Sequence, residues 1–189
     1  MRRLILQQYV TLDGYAAGPG DDLSFFETVA DAEESTRDNL ELLRSIDTML
    51  LGATTYRLFV EFWPTATDEP IAPLLNDLNK VVISSTLTEA PWGDREPATV
   101  LSGDAAELVA DLKRQAGKDI VLWGSISLSY RLLAAGLIDE VQLRVCPILV
   151  GAGKPAFQVT DHPISLDLAE ARPYASGGAL LRYLPKETT

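Results

Sequence analysis

Cysteine and histidine are almost absent from this 189-residue chain: Cys146 and His162 each stand alone. A lone cysteine excludes an intrachain disulfide and fits a reducing, cytoplasmic setting. Together the two residues are too few for a zinc site built from His and Cys of one chain. A Ser-His-Asp hydrolase would depend on His162, which sits in a loop beside Pro163. No apolar run approaches the ~18 residues of a membrane span. Positive charge is also scarce, with 16 Lys and Arg against 27 Asp and Glu, a net charge of −11. Neither a nucleic acid nor a membrane is an expected partner of such a chain.

The usual glycine signatures for nucleotides are missing too. Gly151-Ala152-Gly153-Lys154 resembles the end of a phosphate loop, but Ile148 occupies the earlier glycine position and Pro155 the Ser/Thr position. No G-x-G-x-x-G follows a strand, and there is no G-x-S-x-G elbow.

What the chain does contain is 47% hydrophobic residues, enough for one domain spanning 1–189 with a real core. Arg2 to Val10 reads as a buried first strand and not a signal peptide, because Gln7 and Gln8 interrupt its apolar run. Gly14 offers a positive φ to the turn Thr11–Tyr15. Gly18 to Asp22 is a loop leading to Leu23–Val29. Ala32–Ile46 has helical spacing, and Asp47–Leu51 is a second strand. Gly52-Ala53-Thr54-Thr55-Tyr56 then enters a helix. Lys80–Ser85 and Thr99–Leu101 are further strands. Asp104 with Glu107 makes a start resembling a capping box for a helix that Gly117 stops.

Asp119 to Phe157 is the most informative stretch. Ile120–Trp123 is short enough for a buried strand, Gly124-Ser125 turns, and Ile126 to Gly136 has helical spacing with a glycine stop. In Asp139–Pro147, Val141, Leu143 and Val145 alternate with Gln142 and Arg144. A strand, a Gly-Ser turn and a helix can hold an anion on free amides at a helix start. The dipole contributes only about 0.3–1 kcal/mol, so such a turn positions a phosphate more than it holds one. On spacing alone, the segment is also an ordinary strand-to-helix turn with Ser125 as N-cap. Ile164–Ala175 and Gly178–Leu184 follow as a hairpin, with Pro173 needing an edge or a bulge.

Three ordered motifs carry a resemblance: Gly124-Ser125 with Leu128; Gly136-Leu137-Ile138-Asp139-Glu140; and Pro147, Gly151, Gly153 and Phe157. They resemble the dihydrofolate reductase-like family, in its RibD C-terminal domain branch. Leu12-Asp13-Gly14-Tyr15, Gly52-Ala53-Thr54-Thr55-Tyr56 and Lys80–Leu87 are similar to further blocks of it. The resemblance implies an α/β fold with a mainly parallel central sheet flanked by helices and an antiparallel C-terminal hairpin. It also implies a cytoplasmic NADPH-dependent reductase that passes a hydride to a C=N or C=O of a small pterin- or pyrimidine-like heterocycle. Bifunctional relatives carry a zinc deaminase domain, whose ligands this sequence cannot supply.

By the same resemblance, Gln8, Tyr15 and Ala16 would flank the nicotinamide. Gly124, Ser125, Ile126 and Leu128 would line the pyrophosphate and ribose, with Gly52, Thr54 and Thr55 opposite, and Ser84 and Ser85 would meet the adenosine. Glu27 is the nearest counterpart of the acid that supports substrate protonation; Asp13 is either a turn-former or a second functional carboxylate. No metal is implied, and subunits of this branch pair as homodimers. One position departs: Ala53 stands where the family places an arginine against the 2′-phosphate, which leaves NADH as an alternative cofactor. A non-catalytic nucleotide-binding or dimerising module on the same fold is the rival reading.

Overall fold

Leu4–Thr11 (β1) is apolar on both faces in its first half, and such a strand belongs in the middle of a parallel sheet. The computed structural model, which describes residues 1–30, 33–157 and 162–186, places it there. Along the chain follow Tyr15–Ala17 (β2), the short helix Glu27–Ala30 (α1), Glu33–Ser45 (α2), Ile46–Gly52 (β3) and Ala53–Phe62 (α3). Ala72–Asp77 (α4), Asn79–Ile83 (β4), Thr99–Leu101 (β5), Ala105–Arg114 (α5) and Asp119–Trp123 (β6) come next. Ile126–Ala134 (α6), Glu140–Cys146 (β7), Lys154–Pro155 (β8), Leu166–Pro173 (β9) and Ala179–Pro185 (β10) complete it. The helix expected from Ala32 begins at Glu33 among the described residues, and Ala32 lies outside them.

The main sheet has eight strands in the order β5-β4-β3-β6-β1-β7-β10-β9. From β5 to β7 every pairing is parallel, while β10 runs antiparallel to both β7 and β9. The hairpin is therefore as expected, and Pro173 sits on the edge strand, where its missing N–H breaks no ladder. A separate two-stranded sheet joins β2 to β8.

Alternation along the strands feeds two cores. Ile5, Met49, Leu51, Val82, Val121 and Trp123 pack under α2, α3 and α4. Leu4, Leu6, Leu50, Val81, Ile120 and Leu122 pack under α5 and α6. Helix ends follow local chemistry. The Asp104 carboxylate accepts from the N–H groups of Ala106 and Glu107. At the end of α6, Gly136 has φ +65, while Gly136 N–H and Leu137 N–H donate to the carbonyls of Leu133 and Leu132.

In β7 polar and apolar residues are both buried, and Val141 is 1% exposed in the core under α5 and α6. The strand's polar residues share the α2 side, where Glu140 is 1% exposed and Arg144 0%, while Gln142, Leu143 and Val145 are half-buried. Glu140 accepts from Arg3 and Arg182, Arg182 also pairs with Glu170, and Glu170 with Arg172, which reaches Asp38 on α2. Arg144 is held by neutral groups: Ser35 O at 3.0 Å, Ser35 Oγ, and Asn39 Oδ1 at 2.7 Å. The opposite face of β7, β10 and β9 carries apolar rows, Leu143–Leu181–Ala171 and Val145–Ala179–Pro173, with Leu168 56% exposed.

Candidate functional site

The adjacent strands β3 and β6 send their following helices to opposite faces of the sheet, α3 to one core and α6 to the other. Open α/β sheets bind ligands at such a switch point, outside the strands' carboxyl ends. Here the two turns are stitched together. Ser125 Oγ accepts from Gly52 N–H at 2.8 Å and donates to Thr55 Oγ1 at 2.9 Å, and Ser125 N–H donates to the same Thr55 oxygen at 3.1 Å.

Ser125 does not cap its own helix. It sits at φ 57 and ψ 58 after Gly124 at φ +54, so two consecutive left-handed residues expose the amides behind them. Leu128 N–H and Ser129 N–H both donate to Ser125 O, which leaves the amides of Ile126 and Ser127 without partners among the described residues. A Cβ on Gly52 would lie 3.2 Å from Ser125 Oγ, so glycine is what lets the turns approach. Thr54 is exposed and Thr55, Gly124 and Ile126 half-buried, whereas Leu128 supports the turn from within the core. Two adjoining helix starts with free amides have the chemistry of an anion cradle.

Next to the cradle the sheet splits. β1 pairs with β6 only as far as Gln7–Trp123, yet it continues along β7 to Thr11–Cys146. Gln8 lies at the start of this gap, and its buried Oε1 has no hydrogen-bond partner among the described residues. An orphaned acceptor beside an anion cradle suits a ligand carrying both phosphate and amide N–H groups.

The gap is bordered by a clasped loop. The Asp13 carboxylate accepts from Thr11 Oγ1 at 2.6 Å, Gly151 N–H at 2.8 Å and Val150 N–H at 3.2 Å. The Thr11 hydroxyl foremost, with the Gly151 and Val150 amides, holds this carboxyl below its ordinary 3.8 against the opposing effect of burial. Tyr15 N–H donates to Thr11 Oγ1, and Tyr15 pairs with Pro155, so Tyr15 and Ala16 lie in a loop braced from β8.

Other positions have different surroundings. Ser84 is buried, and its oxygen accepts from Thr86 N–H and Leu87 N–H, so it shapes the turn after β4; Ser85 is exposed. Arg57 is exposed on α3, without an ion pair among the described residues. Glu27 is exposed at the head of α1, its side chain without a bonded partner among them, and it directly follows Phe26, which packs on Tyr9. Cys146 is buried, and burial pushes its thiol up to about 11, which excludes a thiolate nucleophile.

Aromatic side chains flank the gap without a local sequence motif to mark them. On the α2–α3 side of the gap, Trp123 packs on Phe59 with centroids 5.8 Å apart, and Tyr9 on Phe26 at 5.6 Å. Arg144 stacks behind the Tyr9 ring at 5.6 Å. Tyr9 and Phe59 were readable only as apolar positions. The one available signal was their place, Tyr9 near the end of β1 and Trp123 directly before Gly124.

Fold and switch point together define a dihydrofolate reductase-like α/β protein. Dihydrofolate reductase from Enterococcus faecalis, complexed with NADP(H) and RAB-propyl, superposes with a TM-score of 0.64 at 14% identity, over 98% of this chain and 97% of that one. A pyrimidine reductase-like protein from Corynebacterium diphtheriae gives 0.72 at 16% identity, over 99% and 93%. Within this fold the chain belongs to the RibD C-terminal domain family, whose model matches residues 2–180. It is 31% identical over 186 residues to the uncharacterized protein YyaP of Bacillus subtilis strain 168, covering 96% of this chain and 94% of that protein.

Proposed function

We propose that this chain is a single-domain, cytoplasmic NADPH-dependent reductase that delivers a hydride to a C=N or C=O of a small pterin- or pyrimidine-like heterocycle. The carrying observation is the Gly52–Thr55–Ser125 stitch, which sets two helix starts beside a split, aromatic-lined sheet edge. When bound, the dinucleotide supplies the hydride; the protein supplies binding, orientation and exclusion of water. Gly124, Ser125, Ile126 and the Leu128 turn would hold the pyrophosphate, with Gly52, Thr54 and Thr55 opposite. Ser84 and Ser85 would shape the adenosine end, and Gln8, Tyr15 and Ala16 the nicotinamide end. Asp13 is assigned to clasping the loop, because its carboxylate is already fully engaged. Protonation is assigned to Glu27 or to water entering past it.

Paired fluorescence titrations with NADPH and NADH test this reading, since Trp123 adjoins the cradle. Gly124→Val forces a β-branched residue to φ +54 and crowds the cradle, so affinity should fall at least roughly tenfold. NADH is the alternative cofactor because Ala53 offers no charge to a 2′-phosphate. Ala53→Arg should then favour NADPH by roughly tenfold, as expected for one charge-assisted contact. Binding of neither nucleotide would remove the proposal. A non-catalytic nucleotide-binding or dimerising module is the second reading, favoured by Ala53 in place of the family arginine and by the engagement of the Asp13 carboxylate in its loop. Cofactor that binds but is never oxidised in the presence of pterins or pyrimidines would select it.

We further propose that the molecule is a homodimer through the half-exposed apolar face of β7, β10 and β9. Contiguous exposed apolar surface of this kind marks an interface. Leu168→Glu should convert the dimer to a folded monomer in light scattering; a wild-type protein that is already monomeric would refute the pairing.

A further inference from the structure

An indole N–H can only donate and an ionised carboxylate can only accept. Between one of each, the structure strings two amides. Trp123 Nε1 donates to Gln7 Oε1 at 2.6 Å, Gln7 Nε2 to Gln142 Oε1 at 3.3 Å, and Gln142 Nε2 to Glu140 Oε1 at 2.8 Å. The chain crosses β6, β1 and β7, and the register pairs Gln7 with both Trp123 and Gln142. Because its two ends have fixed and opposite polarity, each amide has one orientation that satisfies both neighbours. Turning either would set donor against donor or acceptor against acceptor. Glu140 is itself immobilised by Arg182 at 2.7 Å and Arg3 at 2.5 Å.

We propose that Glu140, Gln142 and Gln7 are positioning residues that lock the Trp123 indole as a rigid wall for a planar heterocycle. The second torsion of tryptophan is intrinsically broad, and apolar packing in the core and on Phe59 does not by itself set the direction of the N–H, which the pinned hydrogen bond does. The inference rests on reading the split between β1 and β6 as the heterocycle site. Trp92 serves as an internal control, since its N–H donates to Asn76 Oδ1, outside the chain.

The test uses protein labelled with 15N at tryptophan, with the Trp123 resonance assigned through Trp123→Phe. Gln142→Met removes the middle of the chain and leaves Trp123, Gln7 and the arginines of Glu140 in place. The Trp123 Nε1–H resonance should move upfield and exchange faster with solvent while that of Trp92 stays. Affinity for pterin should fall roughly fivefold, the worth of one ordinary hydrogen bond, with NADPH affinity unchanged. An unmoved Trp123 resonance in a variant that binds NADPH overturns the inference. So does an equal shift at Trp92, which would mean general loosening. A Trp123 shift in a protein that binds neither NADPH nor pterin supports the chain and removes the functional reading instead. Gln142→Val provides the same comparison should the methionine variant not fold.

Discussion

Gly153→Ala is expected to open the loop that borders the site and to weaken cofactor binding strongly. At φ +138 an L-residue is strained, and the added methyl would fall far inside contact distance of Ala17 O and 2.9 Å from Gly18 C and Cα. These are backbone atoms, so no side chain can swing aside. β8 would have to leave β2, which removes the brace under Tyr15 and Ala16. Overpacking on this scale costs about 3 kcal/mol or ends in local rearrangement. Gly151→Ala is the control: its φ is +71, and the added Cβ meets nothing within 4 Å, so only the backbone penalty of about 1–2 kcal/mol applies. Urea unfolding of the two variants, with NADPH titration of each, separates the effects. Equal stability and equal affinity would show that the close approach at Gly153 is not maintained in solution.

Glu140→Gln is expected to cost about 2 kcal/mol near neutral pH, with the cost disappearing in acid. The substitution keeps shape and removes the charge that Arg182 and Arg3 share. Charge-assisted hydrogen bonds contribute about 1.5–3 kcal/mol each, and the partners' 37% and 46% exposure scales that down. Burial alone would raise the Glu140 pKa. Hydrogen bonds from Arg182 and Gln142, the charge of Arg182 and the hydrogen bond from Arg3 outweigh burial and hold it below 4.5. A lowered folded-state pKa means the contribution is complete above the unfolded value. It is then lost as the pH falls through the folded value. Stability curves of wild type and variant should therefore run apart above about pH 4.5 and converge below it. A gap that stays constant into acid would show that shape, not charge, carries the effect.

Much of the chain was legible from local rules. The strand ending at Trp123, the turn Gly124-Ser125, the glycine stop at Gly136 and the hairpin closed by Gly177-Gly178 depend on neighbours in sequence, and they stand where periodicity and turn chemistry put them. The pairing of Gly52 with Ser125 was indicated only as two separate glycine turns. No local rule joins residues so far apart, and the Ser125 hydroxyl, readable as an N-cap, is instead the bridge between helices.

What the sequence by itself determined is most of the strands and helices, though not β2, α1 or β8, and the positions of the two glycine strand-to-helix turns, because those follow from backbone sterics and short-range hydrogen bonds. Only the tertiary structure decided that Arg144 of β7 is buried, that the Asp13 carboxylate is engaged by a loop, and that Ser125 bridges to Gly52 and Thr55. Val141, Leu143 and Val145 alternate with Gln142 and Arg144, and the local pattern favours burying the valines and leucine. Val141 is buried accordingly, yet Arg144 is fully buried as well, because Ser35 and Asn39 on α2 supply acceptors that no window of sequence contains. A buried polar group is stable only where partners from elsewhere in the chain satisfy it, and that is settled when the elements pack.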